Sequence, residues 1–313
     1  MPRALETAWV RTVRPVLRLY PFRKGQVRLS SVLLGGSLSG PYPGPPEPII
    51  RAIPHGVVTQ CRHGLKLRLQ KDAAFIWPFL FGEYEEPNSR VYSRLISPGD
   101  VVFDVGASYG WYSALFGKLV GESGQVHAFE PVPQFASLAA DTIALNGLES
   151  IVELNVSGLG RDFGTFEVHT FSDLPMGHAS SSRLGRKDAS SHECRMTTLD
   201  RYVAQRGIAR IDFLKVDVEG DELEVFRGGE AILSAADAPI VAFEVNDECL
   251  RDRSLTPSDV QRPLLEFGYE SFWEIDPERG LQRVAEASPI ARGTDYLAAK
   301  GSATELLEAA RSG

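Results

Sequence analysis

From residue 100 onward the chain alternates short apolar runs with amphipathic stretches, and this alternation is the strongest constraint on its fold. Runs at 101–105, 125–129, 151–155, 211–216 and 240–245 have the length and the β-branched, aromatic content of buried strands. Helical periodicity occupies 111–120, 134–145 and 223–233 between them. Parallel strands need a crossover, so strands alternating with helices imply a parallel sheet covered on both faces. Segments 269–274 and 295–299 are expected to close it as an antiparallel pair. Residues 172–191 (SDLPMGHASSSRLGRKDASS) are small and polar. They read as a mobile loop between the third and fourth strands.

Ahead of this unit, residues 5–20 carry an apolar face from Trp9 to Tyr20, with Arg11, Arg14 and Arg18 on another face and Pro15 interrupting. A Gly/Pro-rich arm follows at 35–48. A hairpin is expected from 57–61 and 65–69, joined at His63-Gly64. Residues 74–81 are apolar and aromatic, and 86–95 read as a helix. The expected organisation is a basic helix and arm over 1–55, one α/β domain with an N-terminal hairpin and cap over 56–300, and a C-terminal helix over 301–313.

Net charge is −8 with a pI near 5.4, which argues against nucleic acid as a partner. Residues 1–30 are the exception, with seven Arg and Lys against Glu6. That helix suits packing on the domain or on a second subunit of a homodimer. Peripheral membrane contact is the weaker reading, because one short, Pro-broken helix anchors poorly. Cys61, Cys194 and Cys249 match no zinc spacing and read as free thiols of a cytoplasmic protein. No uninterrupted apolar stretch marks a secretory signal or a membrane span.

Residues 101–110 (VVFDVGASYG) run from an apolar strand through a glycine turn into a helix. In a doubly wound sheet such a turn faces a ligand at the switch in strand order. Three readings compete. A dinucleotide fold wants G-x-G-x-x-G, and this turn lacks that pyrophosphate cradle. A serine hydrolase is suggested by Gly106-Ala107-Ser108-Tyr109-Gly110, which matches G-x-S-x-G. That mechanism needs a histidine after the last core strands, and all six histidines precede Asp217. S-adenosylmethionine needs no phosphate site. It needs room over a glycine turn and an acid for its ribose. Asp104, Gly106, Gly110 and Glu130 supply these.

DVGASYGWYS (104–113), AFEPVP (128–133), TTLDRY (197–202) and LKVDVEGDELEVFRGG (214–229), in this order and spacing, resemble the FkbM-type methyltransferases. The resemblance implies a class I methyltransferase fold, Rossmann-like with a seven-stranded, mostly parallel sheet. It implies S-adenosylmethionine as cofactor and O-methylation, commonly of a hydroxyl on a sugar, glycan or natural product. Ala107, Tyr109 and Pro131 join the cofactor set as members of these motifs, and Ser157 is a candidate for the adenine. The family's turn usually reads Asp-Val-Gly-Ala-Asn. Ser108 departs from it, and is the one feature favouring a non-catalytic binding module on a degenerate methyltransferase fold.

Removing a hydroxyl proton takes a positioned base. Asp217 is a candidate base, clamp or cofactor contact, and Glu219 a sugar ligand or catalytic acid, with Lys215 holding Asp217 ionised. Alternation places 215, 217 and 219 on one side if the chain stays extended. The competing reading is an ion pair capping the next helix. His178 is a second candidate base, while Glu244 and Ser181 are candidate acceptor contacts. Asp217, Glu219 and Glu244 could gather a divalent cation, but no histidine joins them, so no metal is expected.

Overall fold

The computed structural model describes residues 58–60, 62–68, 84–171, 178–285, 290 and 294–311. The expected helix at 5–20, the arm at 35–48, the stretch at 74–81 and Cys61 lie outside the described residues. The chain divides into two units, Met1–Glu86 and Pro87–Gly313.

In the first unit, β1 (Val58–Gln60) pairs antiparallel with β2 (Lys66–Arg68), Thr59 opposite Leu67. This is the expected hairpin, whose outer residues 57, 61 and 69 lie outside the described residues. His63 adopts a left-handed φ of 58° at the reversal, and Leu65 and Leu67 are buried.

Helix α1 (Glu86–Leu95) leads into the second unit. Its Tyr92 packs edge-on against Phe116 and Phe213, with centroids 6.0 and 5.3 Å away. Next come β3 (Val101–Val105), α2 (Trp111–Val120), β4 (Gln125–Phe129), α3 (Pro133–Leu145) and β5 (Val152–Asn155). The three strands are parallel neighbours, Val102 beside Val126 and Val126 beside Val152.

The chain then builds a separate small sheet from β6 (Gly158–Leu159), β7 (Gly164–Phe171), β8 (Ala179–Ser180) and β9 (Ala189–Thr197), ordered β6-β9-β7-β8. This corrects the expected loop at 172–191, whose last residues belong to β9. The segment ASSHECRMT hid its strand because only Cys194 of it is buried, so polar side chains occupy both faces.

Helix α4 (Leu199–Arg206) explains TTLDRY. The Thr198 side chain caps it by accepting from Arg201 N, and Leu199 is in the core. Asp200 accepts from Ala231 N and Ile232 N at 2.9 and 3.0 Å, tying α4 to a later helix. The Tyr202 hydroxyl lies 2.9 Å from His127 Nδ1 and accepts from Asn155 Nδ2.

Strand β10 (Phe213–Val216) returns to the centre beside β3. Helices α5 (Glu222–Arg227) and α6 (Glu230–Ser234) then lead to β11 (Ile240–Glu244). Helices α7 (Asp247–Asp252) and α8 (Pro257–Glu266) precede β12 (Ser271–Asp276), β13 (Gly280–Arg283) and β14 (Asp295–Ala299), and α9 (Ala303–Arg311) ends the described chain.

The large sheet runs β13-β12-β14-β11-β10-β3-β4-β5. Strands β11, β10, β3, β4 and β5 are parallel, and β14 and β12 close the sheet antiparallel as expected. The class I sheet of seven is therefore present, and β13 adds an eighth strand at its edge. The chain moves outward from β3 and then returns to β3's other side, so the switch in strand order lies between β3 and β10.

The single helix expected over 223–233 is broken at Gly228-Gly229. A Cβ on Gly228 would stand 1.9 Å from the carbonyl oxygen of Gly160, so α5 meets the small sheet backbone to backbone. Gly228 has an ordinary φ of −76°, where alanine would normally stabilise by about 0.4–1 kcal/mol. Here Gly228→Ala is expected to lower stability by about 1–3 kcal/mol through overpacking. Urea unfolding measures it, and an unchanged or higher midpoint would rule out the close contact.

Candidate active site

Strand β3 ends at Val105, and the turn that follows is built by three left-handed residues: Gly106 (φ 89°), Ser108 (φ 48°) and Gly110 (φ 75°). A Cβ on Gly106 would lie 1.8 Å from the Asp217 carbonyl oxygen, and one on Gly110 would lie 2.9 Å from the Cα of Ala139. Both glycines are thus required by contacts within the protein, before any ligand is considered. The turn is held to β4 by Gly106 N and Ala107 N, which donate to Phe129 O at 3.0 and 2.9 Å. Tyr109 is buried and stacks on Phe135 of α3, so it supports the turn from behind.

Ser108 sits in the conformation that Asn tolerates best among L-residues, which accounts for the Asn usual at this position. Its N–H donates to Glu130 Oε2 at 2.9 Å. Among the described residues no histidine is bonded to its side chain, so the geometry offers a hydrolase no base.

Glu130 directly follows β4 and is buried. Its Oε1 accepts from Val132 N at 2.9 Å. Burial pushes its carboxyl up to about 7, against the pull of the two backbone N–H groups. Each oxygen keeps a lone pair for a further donor, as a ribose diol requires. Pro131 follows, partly exposed. Ser157 is partly buried two residues after β5, whose Asn155 carbonyl accepts from Glu130 N, so the adenine candidate shares this sheet edge. Asp104 is fully buried, with Oδ2 accepting from Ser113 Oγ at 2.6 Å, while Oδ1 has no hydrogen-bond partner. Burial raises its carboxyl, against the nearby Lys215 charge. An orphaned acid beneath the turn and a ribose acid beside it fit S-adenosylmethionine, whose methionine end carries an ammonium group.

The acceptor candidates gather at the end of β10. The chain does not stay extended there: Glu219 takes a left-handed φ of 54°. The expected alternation therefore fails, yet the side chains still meet. Lys215 Nζ lies 2.8 Å from Asp217 Oδ2 and 4.7 Å from the centre of the Tyr112 ring. Burial alone would raise Asp217, but the Lys215 charge and hydrogen bond outweigh it and hold the carboxyl below its ordinary value. Glu244 is driven well above its ordinary value by burial and by Asp217 and Glu219, and hydrogen-bonds to Asp217. Oxygens of Asp217, Glu219 and Glu244 lie within 4.8 Å of one another. A cation could use that spacing, but Asp217 is engaged by Lys215, and Glu219 by His178 and Asn246, so no ion is assigned.

His178 Nδ1 pairs with Glu219 Oε1. Burial lowers the imidazole's affinity for a proton, but the bond to Glu219 and the charges of Glu219, Asp217 and Glu248 more than offset it, leaving the value raised. Ser181, expected to contact the acceptor, is instead bonded to Arg253, which also pairs with Asp221 at 2.6 Å. Its neighbour Ser180 donates to the Glu219 carbonyl at 2.9 Å.

Asp217 keeps the ion pair that the capping reading expected, and the turn ahead of the next helix is shaped by a residue outside the expected set. Glu222 Oε1 accepts from Val218 N and Gly220 N at 3.1 and 3.2 Å, and so shapes the turn that carries Glu219. Asn246 is the other omission, although a polar residue between an apolar run and a helix is a visible capping signal.

Residues 104–270 match the family described as the Methyltransferase FkbM domain, and the chain belongs to that family. It is 32% identical over 164 residues to the 31-O-demethyl-FK506 methyltransferase FkbM of Streptomyces tacrolimicus, a match covering 43% of this chain and 61% of that protein. It is 28% identical over 154 residues to the methyltransferase sdnD of Sordaria araneosa, covering 41% and 59%. The chain thus spans about three fifths of the length of these curated relatives. Among solved structures, the O-methyltransferase TomG of Streptomyces achromogenes aligns over 70% of this chain and 81% of its own, with 13% identity and a TM-score of 0.38. No helix among the described residues is long and apolar enough to cross a membrane.

Glu222 is fully buried, Oε2 lacks a partner, and burial pushes the carboxyl up to about 8. A folded-state value above the unfolded one means that this stability is fully present below the unfolded value and is lost as pH rises through the folded one. Glu222→Gln keeps the accepting oxygen and cannot ionise. It should match the wild type near pH 5 and exceed it by about 3 kcal/mol near pH 8. Denaturant titrations at both values measure this, and parallel curves for the two proteins would contradict it.

Proposed function

We propose that this chain is an S-adenosylmethionine-dependent O-methyltransferase acting on a hydroxyl of a sugar, glycan or glycosylated natural product. The observation that carries the reading is the backbone contact of Gly106 with Asp217, which sets the glycine turn directly against the acid and histidine cluster. One relative is named for methylating 31-O-demethyl-FK506, which supports oxygen as the acceptor atom.

When bound, the cofactor supplies a methyl group activated on a sulfonium. Glu130 would hold the ribose hydroxyls, and the turn from Gly106 to Gly110 would hold the methionine portion. Asp217 and Glu244 hold hydroxyls of the acceptor. Asp217 is a poor base, because Lys215 favours its ionised form. His178 is the better base: Nδ1 is committed to Glu219, which leaves Nε2 to take the hydroxyl proton. The acceptor must lie in line with the methyl at about 3–3.5 Å with water excluded, and the 178–182 segment bonded over Glu219 and Arg253 covers that side.

Calorimetric titration with S-adenosylmethionine should give saturable binding, and no heat with no thermal shift would sink the enzyme reading. Glu130→Ala is expected to weaken that binding by about 1–3 kcal/mol through lost charged hydrogen bonds, and unchanged affinity would refute the ribose assignment. His178→Gln should cut methyl transfer by about 10²–10⁴-fold. Asp217→Asn should also cut it while largely sparing cofactor affinity. Release of S-adenosylhomocysteine across a panel of glycosides is the assay, and wild-type rates in either variant would exclude that residue's role.

A further inference from the structure

We propose that Asn246 is a positioning residue for His178, acting through Glu219, and that it sets which imidazole nitrogen carries the proton. The proposal rests on the reading of His178 as the base.

Asn246 follows β11 and caps α7. Its Oδ1 accepts from Glu248 N at 3.0 Å and Cys249 N at 3.3 Å. Those two donors fix the amide's orientation, so Nδ2 is the atom that faces Glu219 Oε2, at 2.8 Å. A helix cap uses only the oxygen, and Ser or Asp would cap as well as Asn. The amide donor therefore exceeds what capping needs, and it is spent on a carboxylate 27 residues away in the chain.

That carboxylate is held at every point. Oε2 takes Asn246 Nδ2 and has the Cys249 thiol 3.8 Å away. Its backbone is left-handed, and its carbonyl accepts from Ser180 Oγ. Oε1 is left for His178 Nδ1. A carboxylate only accepts, so in the neutral ring the proton must sit on Nδ1 and Nε2 is bare. Without the amide donor, the weak Cys249 thiol is the one donor recorded on Oε2 among the described residues, so the carboxylate loses its main orienting bond and its hold on the tautomer loosens. Asp217 and Glu248 also face the imidazole, but neither is bonded to it.

The test uses the full chain, ¹⁵N-labelled in its imidazoles and bound to S-adenosylhomocysteine, with nitrogen chemical shifts recorded where His178 is neutral. Asn246→Ser and Asn246→Thr retain a capping oxygen and lose the amide. In the wild type the two His178 nitrogens should resonate far apart, with the proton on Nδ1. In both variants they should converge as the tautomers mix, while thermal midpoints and S-adenosylmethionine affinity stay near wild type. A wild-type shift pattern in the folded variants overturns the proposal and leaves the methyl-transfer reading standing. A wild-type ring protonated on Nε2 also overturns it. Failure of the wild type to bind S-adenosylmethionine overturns the reading beneath it.

Discussion

The contact between Gly106 and Asp217 is the constraint around which the rest of the site is arranged. The two residues leave the ends of adjacent parallel strands at the switch in strand order, and Asp217 N still donates to Val105 O at 2.9 Å as the ladder ends. No side chain fits between the backbones. The ligand-facing turn and the acid-bearing turn therefore behave as one body. Lys215 ties them to a third element, because its ammonium group bonds Asp217 and lies over Tyr112 of α2. A shift of β10 relative to β3 would disturb the glycine turn, the buried cation and the carboxylate cluster together.

The parallel strands were legible because both of their faces are buried, which makes them continuous apolar runs bounded by turns. Strand β9 was not, since a strand with polar residues on both faces carries no period of two. The break at Gly228 was equally hidden. LEVFRGGEAIL reads as one helix until the Gly160 carbonyl is found against its middle. TTLDRY was visible as a motif, but its use is structural: Thr198 and Asp200 cap helices and Tyr202 closes a buried hydrogen-bond group.

In the site, residue types at strand ends were readable, and Asp217, Glu219, His178 and Glu244 do meet beyond the ends of β10 and β11, while Glu130 follows β4. What could not be read is which partner each polar group had already taken. Ser181 looks free in a small-residue segment, yet Arg253 claims it from 72 residues away. Glu222 stands just ahead of the expected helix and carries no visible signal, yet it lies beneath the turn and shapes it. Ser108 reads as a defect in a motif. In place, its position demands a left-handed backbone and an N–H for Glu130, and serine supplies both.

The electrostatics of the cluster follow from an imbalance. Asp217, Glu219, Glu244 and Asp295 crowd a region in which Lys215 is the nearby permanent cation. Lys215 stabilises one of them, Asp217, as the anion. Glu219 is stabilised by hydrogen bonds from Asn246 and His178. Glu244 is instead raised well above its ordinary value by burial and by Asp217 and Glu219, and it hydrogen-bonds to Asp217. Where two carboxyls share a hydrogen bond, as Glu244 and Asp217 do, one proton serves both and relieves their like charge. Two interactions therefore hold this crowd of acids together: the Lys215 ammonium pairs with Asp217, and a hydrogen bond joins Asp217 to Glu244.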